Sequence, residues 1–177
     1  SITFKASTDS LKTYIAFTTG NTLIPFIKAV PVPNQDLHSS APADMIILTH
    51  PMFRAYAEKL ANIHFNNSGL ISQVVSTDQV YNEFSGGIPD IAAIRNFIRM
   101  KYQKQLGSDN PLKYLLLFGD GSYENKTLPP NNPNFIPTYQ SQNSNVVVYS
   151  FTSDDFYGLL EDGEGEADGT EDIGIGR

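Results

Sequence analysis

The sequence predicts an α/β fold, a parallel-rich sheet with helices on both faces. Three observations carry this expectation. Apolar runs of strand length occur at "MIIL", "LISQVV" and "LKYLLLF". Between them lie segments whose apolar residues recur every three or four positions, as on one face of a helix. The alternation strand, helix, strand, helix, strand builds right-handed crossover units and therefore parallel strands.

Residues 1–40 read as lead-in strands and a linker. "TYIAFT" (13–18) and "FIKAVPV" (26–32) are short strand candidates, the second pushed to an edge by Pro31 and Pro33. "PNQDLHSSAPA" is a loop by composition. Residues 41–150 form the α/β subdomain. Met45 to Leu48 run uninterrupted, as in a strand buried on both faces. Pro51 suits a first helical position, and Phe53, Tyr56, Ala57, Leu60, Ala61 and His64 continue a helix to about residue 65 that Gly69 stops. "LISQVVST" (70–77) is the next strand, and Thr77 caps the short helix "DQVYNEF". Asp90 caps a longer helix with Ile91, Ile94, Ile98 and Tyr102 on one face, widened by Phe97. "LKYLLLF" (112–118) is the third buried strand; "FIPTYQS" (135–141), "VVVYSF" (146–151) and "DIGIGR" are further strands. Residues 151–177 are read as an acidic hairpin and the start of a second subdomain.

Composition limits the function. The formal net charge of −7 argues against a nucleic-acid partner, which demands a surplus of lysine and arginine. No apolar run is long enough to cross a membrane as a helix. The absence of cysteine removes disulfides, thiolate metal sites and a cysteine nucleophile from these residues. Ser1 is not an initiator methionine, no signal-type segment follows it, and "EDIGIGR" stops in mid-strand. The chain therefore reads as a piece of a longer one.

"LKYLLLFGDGSYENKT" (112–127) ends an apolar strand in Gly-Asp-Gly, as many nucleotide sites begin. The nucleotide reading fails. Glu124 stands where a dinucleotide fingerprint has its third glycine, Asn125 where a phosphate loop has the glycine before Lys-Thr, and "LPPNNPNFIP" cannot open a helix. Asp120 would also repel phosphate. Asp120 and His50 nonetheless lie at carboxyl ends of strands, where open parallel sheets bind ligands. The plainer expectation gives Asp120 to its own turn and His50 to capping or packing; His38 and His64 also read as structural.

Nine of the nineteen acids lie between residues 153 and 172. Carboxylates so crowded raise one another's pKa unless a cation or solvent intervenes. Calcium is the cation such a stretch suits. "DGEGEADGTEDI" does not fit the EF-hand loop, with Ala167 in place of the invariant glycine and Ile173 in place of the bidentate glutamate. A solvated hairpin tip is the plain alternative. Asp154 and Asp155 stand out, tethered by Phe156, Tyr157 and Leu159.

Four stretches, in order and spacing, carry a resemblance: "ADMIILTHPMF", "VYNEFSGGIPDIAAIRNFIRMKY", "LKYLLLFGDGSYENK" and "SDDFYGLLEDGEGE…DIGIGR", with "NFIPTYQS" before the last. They resemble the gingipain-like cysteine peptidases, in particular the PorU-type sortases of type IX secretion in Bacteroidetes, from about residue 40 to 177. The resemblance implies a caspase-like, Rossmann-like sheet, of which this is the N-terminal subdomain and the start of the next. It implies a parent endopeptidase, exported to the outer-membrane surface or beyond, with a histidine–cysteine dyad on later strands. None of the three histidines here matches that dyad, so these residues alone are expected to be inert. By the match of "IGR", Asp172 takes the place of an acid that orients the catalytic histidine, with Glu171 beside it. "SDDFYG" places Asp154, and Asp155 next to it, where calcium or structure calls for acids. Implied partners are a protein or peptide substrate, the remaining catalytic subdomain and outer-membrane secretion components. The alternative is a pseudo-peptidase whose α/β module binds proteins without cleaving them.

Overall fold

The computed structural model describes residues 3, 5–7, 9–14, 20, 31–124, 131, 133–143, 145–165 and 169–177. Two units separate, Ser1–Asn34 and Gln35–Arg177. In the first, the Lys12 ammonium donates to the Ser7 carbonyl at 3.1 Å and the Asp9 amide to the Ser7 hydroxyl at 3.3 Å. The strands expected over 13–18 and 26–32 fall largely outside the described residues.

The second unit is built on a parallel four-stranded sheet in the order β2-β1-β3-β6. Its strands are β1 (Met45–Thr49), β2 (Ser72–Ser76), β3 (Tyr114–Phe118) and β6 (Gly174–Gly176). Helix α1 (Arg54–Ser68), entered through a short 3-10 turn at Pro51–Phe53, links β1 to β2; α2 (Thr77–Phe84) and α3 (Ile91–Gln105) link β2 to β3. Strand residues alternate between faces, and the core splits accordingly. Ile46, Leu48, Val75, Leu115 and Leu117 face α2 and α3, where Ile94, Phe97 and Ile98 fill the layer. Met45 and Ile47 face the other way against Ala57 of α1, with Val74, Leu116 and Phe118 packed beside them. Helices thus cover both faces, and all five residues of β1 are buried, as its unbroken apolar run requires.

Helix ends follow local chemistry. Gly69 closes α1 in the left-handed conformation at φ 70°, which suits a residue without Cβ. The Asp90 carboxylate accepts from the Ala92 amide and caps α3. The cap of α2 is Ser76, one residue before the expected Thr77, because Ser76 and Gln79 form a reciprocal capping box.

One expected strand is corrected. The run 146–151 is not a strand: β5 is Thr152–Ser153, paired antiparallel with β4 (Tyr139–Gln140). That register leaves Val146–Tyr149 at the hairpin tip, folded into turns by the Val146 amide on the Asn143 carbonyl and the Tyr149 amide on Val146. Of the acidic stretch expected as a hairpin, residues 166–168 lie outside the described residues. The stretch leads into β6, which pairs in parallel with β3, Gly174 opposite Tyr114 and Gly176 opposite Leu116.

Candidate active-site edge

The chain leaves β1 toward β2 and returns to β3 on the other side, so the carboxyl ends of β1 and β3 part at a topological switch, where open α/β sheets bind ligands. His50 follows β1 there. Its Nδ1 accepts from the Met52 amide at 3.3 Å, which leaves the ring proton on Nε2, and its ring meets Phe53 and Phe135 edge-on. The capping and packing role expected of His50 is the one observed. Asp120 follows β3; its carboxylate accepts from the Gly121 amide at 3.1 Å and its carbonyl from the Phe135 and Ile136 amides. The turn role expected of Asp120 is likewise observed.

Sequence reasoning missed Arg177, which organises this edge. Its guanidinium donates to both Asp154 carboxylate oxygens at 2.7 Å, a bidentate pair. One nitrogen, Nη1, also reaches the carbonyls of Gly119 at 2.9 Å and Ile136 at 3.0 Å. A Cβ on Gly121 would lie 2.9 Å from that nitrogen, so the second glycine of "GDG" makes room for an arginine rather than a phosphate. The signal was the last residue of "IGR", visible only as part of a family pattern.

The expected site acids have different partners. Asp154 is held by Arg177. Asp155 hydrogen-bonds Glu171, and burial first and that contact second push the Glu171 carboxyl above the ordinary range. Asp172 stands at the opposite, amino end of β6. Its Oδ2 accepts from the Leu160 amide at 2.8 Å and its Oδ1 from the Tyr102 hydroxyl at 3.2 Å. Glu166 and Asp168 lie outside the described residues. His38 and Glu83, 45 residues apart, meet at 2.7 Å, with the imidazole stacked on Phe84. Burial raises the Glu83 carboxyl, but donors from Leu37, Gln35 and His38 outweigh it and hold the group below the ordinary range. With Asp36 these form the one cluster among the described residues whose ligand atoms lie within 4.8 Å of one another.

Beside the switch point lies a cavity of about 580 Å³. His50, Thr77, Tyr81, Asp90, Phe135 and Gln140 are among its walls, drawn from the segment after β1, from α2, from the start of α3 and from the 134–140 segment that ends in β4.

The sequence model of peptidase family C25 matches residues 38–177. This chain belongs to peptidase family C25, the gingipain family. Among solved structures, the crystal structure of dimeric latent PorU from Porphyromonas gingivalis is similar at 35% identity with a TM-score of 0.70. The match covers 82% of this chain and 15% of that one, so the chain spans a small part of the protein it matches. No curated protein matches the chain. The α/β sheet with helices on both faces is that caspase-like gingipain fold.

Proposed function

We propose that this chain is the first half of the catalytic domain of a gingipain-like cysteine endopeptidase, a type IX secretion sortase that removes C-terminal signals from exported cargo. The observation that carries the reading is a family C25 match over 38–177 in a chain without cysteine. The thiol and imidazole would come from residues outside these 177, on strands added beyond β6, which pairs on one side only among the described residues. The imidazole takes the thiol proton and the thiolate attacks the scissile carbonyl. The peptide C–N bond breaks as the amine leaves with the imidazolium proton, and water or an acceptor amine then releases the thioester. Protein substrates, secretion components of the outer membrane and a location at or beyond that membrane belong to the same reading.

The resemblance gives Asp172 the imidazole-orienting role. Its carboxylate here accepts from the Leu160 amide and the Tyr102 hydroxyl, and the Asp172→Asn variant separates a bracing role from the orienting one: bracing moves stability, orientation moves the pH profile of turnover. Calcium is proposed at Asp154 and Asp155, where it would compete with Arg177 for Asp154 and with Glu171 for Asp155. A calcium-dependent rise in Tm, absent in Asp155→Asn, supports that site; equal Tm with calcium or chelator removes it.

The test of the main reading is hydrolysis of a fluorogenic peptide spanning a signal junction. The 177-residue chain should be inert under any redox condition, and the longer natural chain active until its thiol is alkylated. Turnover by the short chain, abolished by a substitution within it, would contradict the reading, as would alkylation-insensitive turnover of the long chain.

A further inference from the structure

Three ligand groups from two distant segments converge where the 35–40 loop meets the end of α2. His38 Nδ1 and Glu83 Oε2 lie 2.7 Å apart, and the ligand atoms of these two residues and of Asp36 all fall within 4.8 Å of one another. Each of the three is aimed by neighbours that are not ligands themselves. The Leu37 amide donates to both Glu83 oxygens, at 2.8 and 3.0 Å, and the Gln35 side-chain amide donates to Oε1 at 2.8 Å. The Ser39 amide donates to Asp36 Oδ1 at 2.9 Å, and its hydroxyl donates to Oδ2. The His38 ring lies flat on Phe84, with centroids 4.8 Å apart. Leu37, between the two loop ligands, is buried in the core and fixes the loop. Outer partners of this kind orient the ligands of a metal ion.

The donor set selects the ion. Two carboxylates and a neutral imidazole carry two negative charges, which a divalent cation balances. No lysine or arginine pairs with Asp36 or Glu83 among the described residues, and the Lys104 ammonium goes to the His38 carbonyl instead. An imidazole nitrogen beside carboxylate oxygens suits zinc and its first-row neighbours, whereas magnesium and calcium take oxygen ligands. With metal–ligand bonds of about 2.0–2.2 Å, the ligand atoms of a tetrahedral site lie about 3.3 Å apart. His38 and Glu83 stand closer than that, with room between them for a proton only. The ring must therefore slide by about half an ångström as the ion takes the place of the Nδ1 proton, the imidazole then carrying its proton on Nε2. The His38 side chain is 56% exposed, which leaves it that freedom and gives the ion a way in.

We propose that Asp36, His38 and Glu83 bind a divalent transition-metal ion such as zinc, and that the ion fastens the 35–40 loop to α2. Three protein ligands leave the fourth position to water. The site is independent of the peptidase assignment. Calorimetric titration of the metal-free chain with zinc chloride, and with magnesium chloride as the oxygen-seeking control, tests it, with thermal unfolding as a second readout.

One equivalent of zinc is expected to bind with a Kd of about 10 µM or tighter, and magnesium about 100-fold more weakly or worse. Zinc should raise Tm, because the folded chain alone brings the three ligands together. Asp36→Asn and His38→Phe change exposed side chains, and the second keeps a ring to stack on Phe84, so both should fold as the parent does. Each should weaken zinc binding about tenfold or more and remove most of the rise in Tm. His64→Gln, remote in sequence from the three ligands, should bind zinc as the parent does. No saturation below about 1 mM would overturn the proposal and leave His38 and Glu83 as a hydrogen-bonded pair only. Zinc binding that survives both ligand variants, or that His64→Gln weakens equally, would mark adventitious binding at surface histidines and overturn it as well.

Discussion

The two ends of the parallel sheet differ in how their polar groups are used. At the amino end nearly every buried polar group is satisfied from within. Asp44 takes the Lys113 ammonium at 2.7 Å on one oxygen and the Ile71 amide at 3.0 Å on the other. Gln105, 2% exposed, exchanges hydrogen bonds with both backbone groups of Ala43 and donates also to the Asn110 carbonyl. Lys101, equally buried, donates to the Ser40 carbonyl and hydroxyl and the Ala41 carbonyl. At the carboxyl end Thr49 and Ser76 are likewise satisfied, by the Phe118 carbonyl and by Gln79, but the hydroxyls of Thr77, 3% exposed, and Tyr81, 8% exposed, have no hydrogen-bond partner among the described residues. The amino end is closed largely by its own hydrogen bonds, while the carboxyl end keeps hydroxyls that solvent can reach.

Substitutions can break or sharpen that contrast. Asp44→Ala should cost the most, about 2–3 kcal/mol, because it removes a buried carboxylate that accepts from the partly buried Ile71 amide and leaves Lys113, which is half exposed, unpaired. Urea unfolding measures it, and a loss under about 0.5 kcal/mol would remove the amino end's structural role. The same residue predicts a pH dependence. The hydrogen bond from Lys113, against the opposing effect of burial, holds its carboxyl below the ordinary aspartate range. Its contribution is therefore complete above the unfolded-state value near 3.9 and is lost as pH falls through the lower folded-state value. The stability gap between parent and Asp44→Asn should close on acidification and stay constant from about pH 5 to 8.

Gly121→Ala comes next, at about 1–2 kcal/mol, since its new methyl must displace the Arg177 guanidinium. A smaller variant at position 177, such as Arg177→Ala, should remove part of that cost, the Ile136 carbonyl 3.1 Å from the new methyl keeping the rest, and a double-mutant cycle reads the coupling. Asp172→Asn should cost about 1 kcal/mol by weakening its bond to the Leu160 amide. The smallest effect is expected at the other end: Tyr81→Phe should change stability by less than about 0.5 kcal/mol or raise it. A large loss there would mean that the hydroxyl serves the fold after all.

What was legible in the sequence follows the same division. The apolar runs at Met45–Leu48 and Leu115–Phe118 and the spacing of Ile94, Phe97 and Ile98 mark their own positions, because burial depends on side chains a few residues apart. The turn role of Asp120 and the cap at Asp90 were equally local. Val146–Tyr149 misled because β-branched residues favour a strand only where a partner strand exists, and the pairing of Tyr139 with Ser153 leaves that run at a tip. The capping box moved the start of α2 by one residue, since Gln79 answers Ser76 and not Thr77. The Arg177–Asp154 clasp, the His38–Glu83 pair and the cavity join segments far apart in the chain, and no local pattern announces them.

The division between the two ends is tested most directly by urea unfolding of Asp44→Ala beside Tyr81→Phe. The account predicts a loss of about 2–3 kcal/mol in the first and of less than about 0.5 kcal/mol, or a gain, in the second. Equal losses, or a larger loss in Tyr81→Phe, would contradict it.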